Sequence, residues 1–305
     1  IGVLMAFLIG GANTLAEEAG NANGIFGFGE GSIFGMTNLV SNTGVVGTDV
    51  SAVGTARYAG AACEYDGDKG IVGFGNDGSR VSMTNLISNT GVVATDTSGV
   101  GTERQGLAAI GYGGDKGIFA FGHNPTYFNE KNLVSNTGVM ASDATGVGTA
   151  RRVMAACEYG EERDTGIFAY GLQPNVGIVS MSNLVSNTGV VATDVTGVGT
   201  ARSYPAACYY GGDKGLFGFG NTDVVQSVTN LVSNTGVIAT DTTGVGTARL
   251  APGACEFGGD KGIFAYGYVS GAVSMSNLVS NTGVVATDVT GVGTDRSAPM
   301  ACSYN

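Results

Sequence analysis

The stretch SNLVSNTGVVATDVTGVGTAR, residues 182–202, decides the fold because it recurs six times in near-copy along the chain. The Asn of its Asn-Leu pair falls at Asn38, Asn85, Asn132, Asn183, Asn230 and Asn277, at spacings of 47, 47, 51, 47 and 47 residues. A fixed period in this range marks a solenoid, a propeller or an array, in which each unit is one supersecondary element that cannot bury its apolar face alone.

Outward from that stretch the same parts return in every unit. In the fifth, SYPAACYY (203–210) alternates weakly, GGDKG (211–215) is a tight turn and LFGFG (216–220) is a short apolar run. A variable loop follows, then SVTNLVS (227–233), the turn NTG and VIATD (237–241). Short apolar runs punctuated by Gly, Asn and Asp read as four strands per unit. Asn-Thr-Gly suits a three-residue hairpin loop whose Gly takes the left-handed position. Helical spacing over ten or more residues is absent, with residues 13–20 the one candidate for a helix. The fold expected is all-β, a six-bladed β-propeller of four-stranded antiparallel blades over residues 24–305, six times 47 residues. The chain starts that region with a second strand, GIFGFG (24–29), and ends it with a first strand, SAPMACSY (297–304). The C-terminal strand is therefore expected to complete the first blade and close the ring, leaving no sheet incomplete.

Arg202, the Ala-Ala-Cys-Tyr strand, the charged turn and LFGFG together resemble a kelch repeat, which runs Arg, small apolar strand, turn, apolar strand and a glycine doublet. The doublet is a single Gly here, and the later Tyr and Trp of that pattern are absent. A propeller of the regulator-of-chromosome-condensation type is the alternative. The near-identity of the units is also similar to repeats in predicted structural proteins of marine tailed phages. These resemblances imply a propeller that binds or builds, on a virion appendage or another extracellular surface.

Composition narrows the function classes. A net charge of −11 argues against binding nucleic acid or an anionic membrane surface, both of which need a positive field. Residues 1–23 lie outside the repeat, and their apolar start, IGVLMAFLIG, is too short to span a bilayer, so no membrane insertion is expected. That start resembles the apolar region of a secretion signal without a basic leader. An extra strand or helix packed on the first or last blade is the expectation for it. Cys63, Cys157, Cys208, Cys255 and Cys302 share one repeat position, where the third unit has Ile110. Equivalent positions on separate blades are too far apart to pair, so these are expected to be core thiols.

Chemistry is sparse. His123 is the single histidine, which excludes a two-His copper site of the galactose oxidase kind. The chain has no P-loop, no GxSxG and no HExxH, so no cofactor is expected. Each unit carries an Asp eight residues before an Arg, from Asp49 and Arg57 to Asp288 and Arg296. Recurrence in every unit points to a structural role, pairing or carbonyl hydrogen bonds, rather than to six anion sites around a channel.

Variation between units is informative. The first-to-second turns (DGDKG, GGDKG, EERDTG) and the SNTG turns stay nearly constant. The second-to-third loops, and the triplets YAG, QGL, RVM, SYP, LAP and SAP after each Arg, change throughout. In an antiparallel meander both variable regions emerge on one face, and loops on a rigid scaffold carry function. Candidate ligand-binding residues there are His123, Tyr127, Phe128, Asn129, Glu130, Asp77, Asp223 and Tyr268, with His123 expected to be exposed. The expected function is a non-enzymatic binding or structural module engaging a protein or a glycan. The alternative is a glycan-active hydrolase using acids such as Asp77, Glu130 or Asp223.

Overall fold

The computed structural model describes residues 22–51 and 53–304. The expectations placed on residues 1–21 lie outside the described residues. Among those described there is no helix, and the strands form small antiparallel sheets. Six are three-stranded. The first joins Met300–Tyr304, Asn23–Gly29 and Phe34–Val40. The second joins Ala61–Tyr65, Lys69–Asn76 and Arg80–Ile87. The third joins Ala108–Tyr112, Lys116–Ala120 and Lys131–Val134. The fourth joins Ala155–Tyr159, Thr165–Ala169 and Ser182–Val185, with a small hairpin of Leu172–Gln173 and Gly177–Ile178 beside it. The fifth joins Ala206–Tyr210, Lys214–Asn221 and Val225–Val232. The sixth joins Gly253–Phe257, Lys261–Ala265 and Ser276–Val279. In each sheet the strand bearing the cysteine position leads, the apolar strand whose second residue is Gly (Lys-Gly in four of the six) lies in the middle and the Asn-Leu strand trails.

The two ends of the repeat meet as their sequences suggest. Residues 300–304 pair antiparallel with 23–27, in the register Asn23↔Tyr304 to Gly27↔Met300. The leading strands contact one another in order, second to third through to first and back to second, so they form a cycle.

The fourth segment of each unit departs from expectation, because it is not a continuous strand. In the fifth unit it touches the trailing strand at two bridges, Val232↔Ile238 and Thr229↔Thr242. Between them the Asn230 side chain takes over, donating from Nδ2 to Ala239 O at 3.0 Å and to Asp241 Oδ1 at 2.8 Å. A side-chain amide thus replaces a backbone partner and interrupts the ladder.

Apolar packing lies between neighbouring sheets, including between the sixth and the first, where Phe26 and Val40 pack with Cys255, Phe257, Ile263 and Tyr266. All five cysteines are buried and free. Each thiol fits where a neighbouring sheet has a glycine. A Cβ added to Gly117 would lie 2.6 Å from Cys63 Sγ, and one added to Gly70 2.6 Å from Cys302 Sγ. Ile110 plays the same part against Gly166, which explains its substitution for Cys.

The recurring Arg residues lock sheet to sheet. All six are 0% exposed. Arg57 stacks on Phe28 of the first sheet, 4.5 Å from its centroid. It then donates into the second sheet, to Phe74 O at 3.0 Å and Asn85 Oδ1 at 2.5 Å, with Asp96 at 3.7 Å. The Asp partner therefore belongs to the following unit and not to the Arg's own. The same Asp96 accepts from the Thr55 hydroxyl at 2.7 Å. Arg296 repeats the arrangement across the chain ends, stacking on Tyr266 and reaching Asn38 at 2.6 Å and Asp49 at 3.9 Å. Burial lowers the pKa of Arg57, Arg151 and Arg249 to about 10, so these guanidinium groups stay charged at neutral pH. The aromatic beneath each Arg has a left-handed backbone, with φ between 61° and 66° at Phe28, Phe74, Phe121, Tyr170, Phe219 and Tyr266. In the first, second and fifth sheets the register shifts there, as at a β-bulge. A bulge re-aims a side chain, here onto the guanidinium, and the stacking offsets a backbone strain of about 1–2 kcal/mol.

Candidate functional site

The variable regions meet on one face. The first residue of each post-Arg triplet bridges the residue that opens a second-to-third loop: Tyr58↔Asn76, Gln105↔His123, Arg152↔Leu172, Ser203↔Asn221, Leu250↔Tyr268 and Ser297↔Glu30. The constant turns meet on the other, where Asn89 Nδ2 donates to Asp68 at 3.1 Å and Asn281 Nδ2 to Asp260 at 3.0 Å.

At the centre of the variable face the second residues of the triplets form an annulus. Five of the six N–H groups donate to the equivalent carbonyl of the preceding unit: Gly106 to Ala59, Val153 to Gly106, Tyr204 to Val153, Ala251 to Tyr204 and Ala298 to Ala251, at 2.7–3.0 Å. All six of these residues have positive φ, although only Gly106 is a glycine. A left-handed conformation at five non-glycine residues persists only where its surroundings hold it, and such strain gathers at ligand clamps. The annulus surrounds a cavity of about 150 Å³, lined by Leu107, Met154, Tyr204, Pro205, Pro252 and Met300 among smaller residues. A cavity of roughly this volume takes one benzene-sized group.

The opposite end of the axis is charged. The residue after the cysteine position is Glu64, Glu158 and Glu256 in the second, fourth and sixth sheets, and Gly111, Tyr209 and Ser303 in the others. Arg163 reaches into this ring from the fourth unit's turn, which has two residues more between Tyr and Asp than the others. Its Nη2 lies 2.6 Å from Glu256, 3.1 Å from Glu158 and 3.2 Å from Glu64, with the Tyr209 ring 4.5 Å away. Burial raises the Glu64 carboxyl to about 7 even with Arg163 opposing it, and raises Glu256 well above its usual range. One cation facing three acids leaves the cluster short of positive charge, so it retains protons near neutrality. This cluster is not among the sequence-predicted site residues. Its signals were the longer turn and the unequal residue after each Cys.

The structure separates the sequence-predicted site residues. His123 is 7% exposed, not an exposed loop histidine, because its backbone pairs with both Gln105 and Tyr127. Its Nε2 is 3.0 Å from Arg152 Nη1 and its Nδ1 is 3.3 Å from Gln105 O. Arginine can only donate, so Nε2 accepts and Nδ1 carries the proton. Burial first, then the Arg152 charge, hold the imidazole below its ordinary pKa. Tyr127 packs edge-on against this ring at 5.9 Å. Asn129 serves the fold, donating to Gly148 O at 2.8 Å, and Glu130 O accepts from Phe121 N at 2.9 Å. Phe128 is half-buried beside them, and its N–H donates to Gly122 O. Asp77 is occupied at a hairpin tip by Ser79 N at 3.1 Å. Asp223 stands exposed on the fifth sheet's hairpin, half the cycle of sheets away. Tyr268, 41% exposed, flanks the triplet of the sixth unit. No group of three or more His, Cys, Asp and Glu able to hold a metal ion occurs among the described residues. No helix among them is long and apolar enough to cross a membrane.

Compared with family models and with curated proteins, the chain has no match.

Proposed function

We propose that this chain is a six-bladed β-propeller, each blade being a three-stranded sheet with its bridge-paired fourth segment, and that it is a binding module rather than an enzyme. The cycle of leading strands and the equivalence of the Arg296 junction to the other five support the ring. The observation that carries the function is the convergence of all six variable triplets on one apolar cavity. The constant turns supply the frame, and the residues free to differ between units line the place where a ligand sits. An apolar protuberance of a protein or a glycan would enter the cup while the outer loops contact its surroundings, as aromatic anchors do at interfaces. We propose an extracellular or virion surface as its setting, on the strength of the phage resemblance.

The test is capture on protein and glycan arrays by wild type, by Tyr204→Ala and Ala59→Arg in the cup, and by Asn89→Ala with Asn281→Ala on the constant face. Cup variants that keep the wild-type melting temperature should lose capture, and the constant-face variant should keep it. The opposite pattern assigns the binding face to the constant turns and removes the proposal.

A further inference from the structure

The chain has fourteen Lys and Arg residues, and ten of them lie within 4.0 Å of a carboxylate among the described residues. Arg202 is held in its junction by Asn230 and Thr200 O, and Lys131 Nζ donates to Gly189 O at 2.9 Å. That leaves Arg80 and Arg152, both on the variable face. The Nε of each is buried and makes no hydrogen bond among the described residues. A buried guanidinium N–H without an acceptor costs about 1–3 kcal/mol or more, which an anionic oxygen would relieve.

The two arginines belong to one assembly. Arg80 pairs with Asn76, Asn76 Nδ2 donates to Gln105 Oε1 at 2.5 Å, and Gln105 pairs with His123. His123 in turn accepts from Arg152, whose guanidinium lies 5.3 Å above the Tyr127 ring. Both arginine charges act on the imidazole. The nearest acid in the same hairpin, Asp77, is turned back to Ser79. Among the described residues no carboxylate lies within 4.0 Å of either guanidinium.

We infer that Arg80 and Arg152, on the variable face around His123, form a binding subsite for an anionic oxygen group, a carboxylate, sulfate or phosphate borne by the ligand. Guanidinium forks recognise all three by charge-assisted, often bidentate, hydrogen bonds. The subsite lies beside the apolar cup, so the ligand combines an apolar group with an anionic one. The inference rests on the variable face being the binding face, and it fails or survives separately from that proposal.

His123 is the single histidine, so its ring C–H signals report this site alone in a proton NMR spectrum. Sodium sulfate, sodium phosphate and an oligogalacturonate are titrated at fixed pH, with sodium chloride at matched ionic strength and a neutral oligosaccharide as controls. At least one of the three anions should move the His123 signal saturably, and the controls should not. Which anion does so distinguishes sulfate, phosphate and carboxylate as the source. Arg80→Met and Arg152→Met should each weaken the response by about tenfold or more while the rest of the spectrum stays unchanged. Arg80→Met is the cleaner variant, because Arg152 touches the reporter itself. A shift equal to that in sodium chloride, no saturable shift with any anion, or an undiminished shift in Arg80→Met overturns the inference. Capture lost in the cup variants with no anion response in this experiment would leave the cup reading standing and remove the anionic subsite.

Discussion

Replacing Arg163 with Met tests the charge arrangement at the constant end of the axis. In the wild type one guanidinium faces Glu64, Glu158 and Glu256 at 2.6–3.2 Å, and the side chain of Glu256 is only 2% exposed. Removing one partner of a buried ion pair costs about 3–5 kcal/mol, because the other charge is left uncompensated. The lower end applies here, since Arg163 is itself 18% exposed and water can follow. That loss requires ionised carboxylates. Glu64 has its pKa raised to about 7 in the folded protein, so the folded state binds a proton that the unfolded state releases. Stability from this group is complete below its unfolded value near 4.5 and is lost as pH rises through about 7, by about 3 kcal/mol at most. Without Arg163, Glu64 and Glu256 bind protons more tightly still. Urea unfolding at pH 5 and pH 8.5 should therefore show a deficit of about 3 kcal/mol for Arg163→Met at the higher pH, shrinking to about 1 kcal/mol of lost packing at the lower. Adding Glu256→Gln to the variant should restore part of the deficit at pH 8.5. An equal deficit at both pH values, or a larger one at pH 5, would refute the assignment of these acids as the source of the effect.

Other tests address the frame. Asn38→Ala and Asn230→Ala each strip one side-chain acceptor from a fully buried guanidinium, Arg296 and Arg202, and each should lose about 2–4 kcal/mol in chemical denaturation; a negligible loss for Asn38→Ala alone would show that the junction between the sixth and first sheets is not equivalent to the rest. Burial disfavours charge on Asp49, Asp96, Asp143, Asp194, Asp241 and Asp288, but hydrogen bonds from Thr and Asn with the nearby Arg outweigh it and hold each below the usual carboxylate value. Their stabilisation is present above the unfolded value of 3.8 and disappears as pH falls through their lowered folded values, so Asp241→Asn should flatten the acid limb of the stability curve. Gly117→Ala should destabilise by about 1–3 kcal/mol through overlap with Cys63, and Cys63→Ala should recover much of it in the double variant. The five thiols, buried and with pKa values raised chiefly by desolvation, should react with a thiol reagent only after unfolding; fast native-state labelling would contradict their place between the sheets.

Repetition made the frame legible in the residues alone. Six copies of one unit, each with short apolar runs between Gly, Asn and Asp turns, imply small antiparallel sheets whatever their arrangement in space. The incomplete units at the two ends implied the pairing of residues 300–304 with 23–27. Five cysteines at one repeat position implied buried thiols, since a residue that recurs in every sheet meets its neighbours in the same way each time. Sequence also separated constant from variable turns, because strand alternation alone dictates which turns share a face.

Tertiary structure decided what lies between units. Five of the six Arg find an Asp 39 or 43 residues onward, or across the chain ends at Asp49, because the side chain crosses from one sheet into the next. Asn230 and its equivalents break the fourth ladder only once folding brings them against a carbonyl nine residues away. His123 looked like a loop residue and is buried, since pairing with Gln105 and Tyr127 folds its loop over it. Glu64, Glu158, Arg163 and Glu256 lie as far as 192 positions apart in the chain and meet only at the axis. The longer turn and the unequal residue after each Cys mark them one by one, but their charges acquire meaning from a convergence that no single repeat contains.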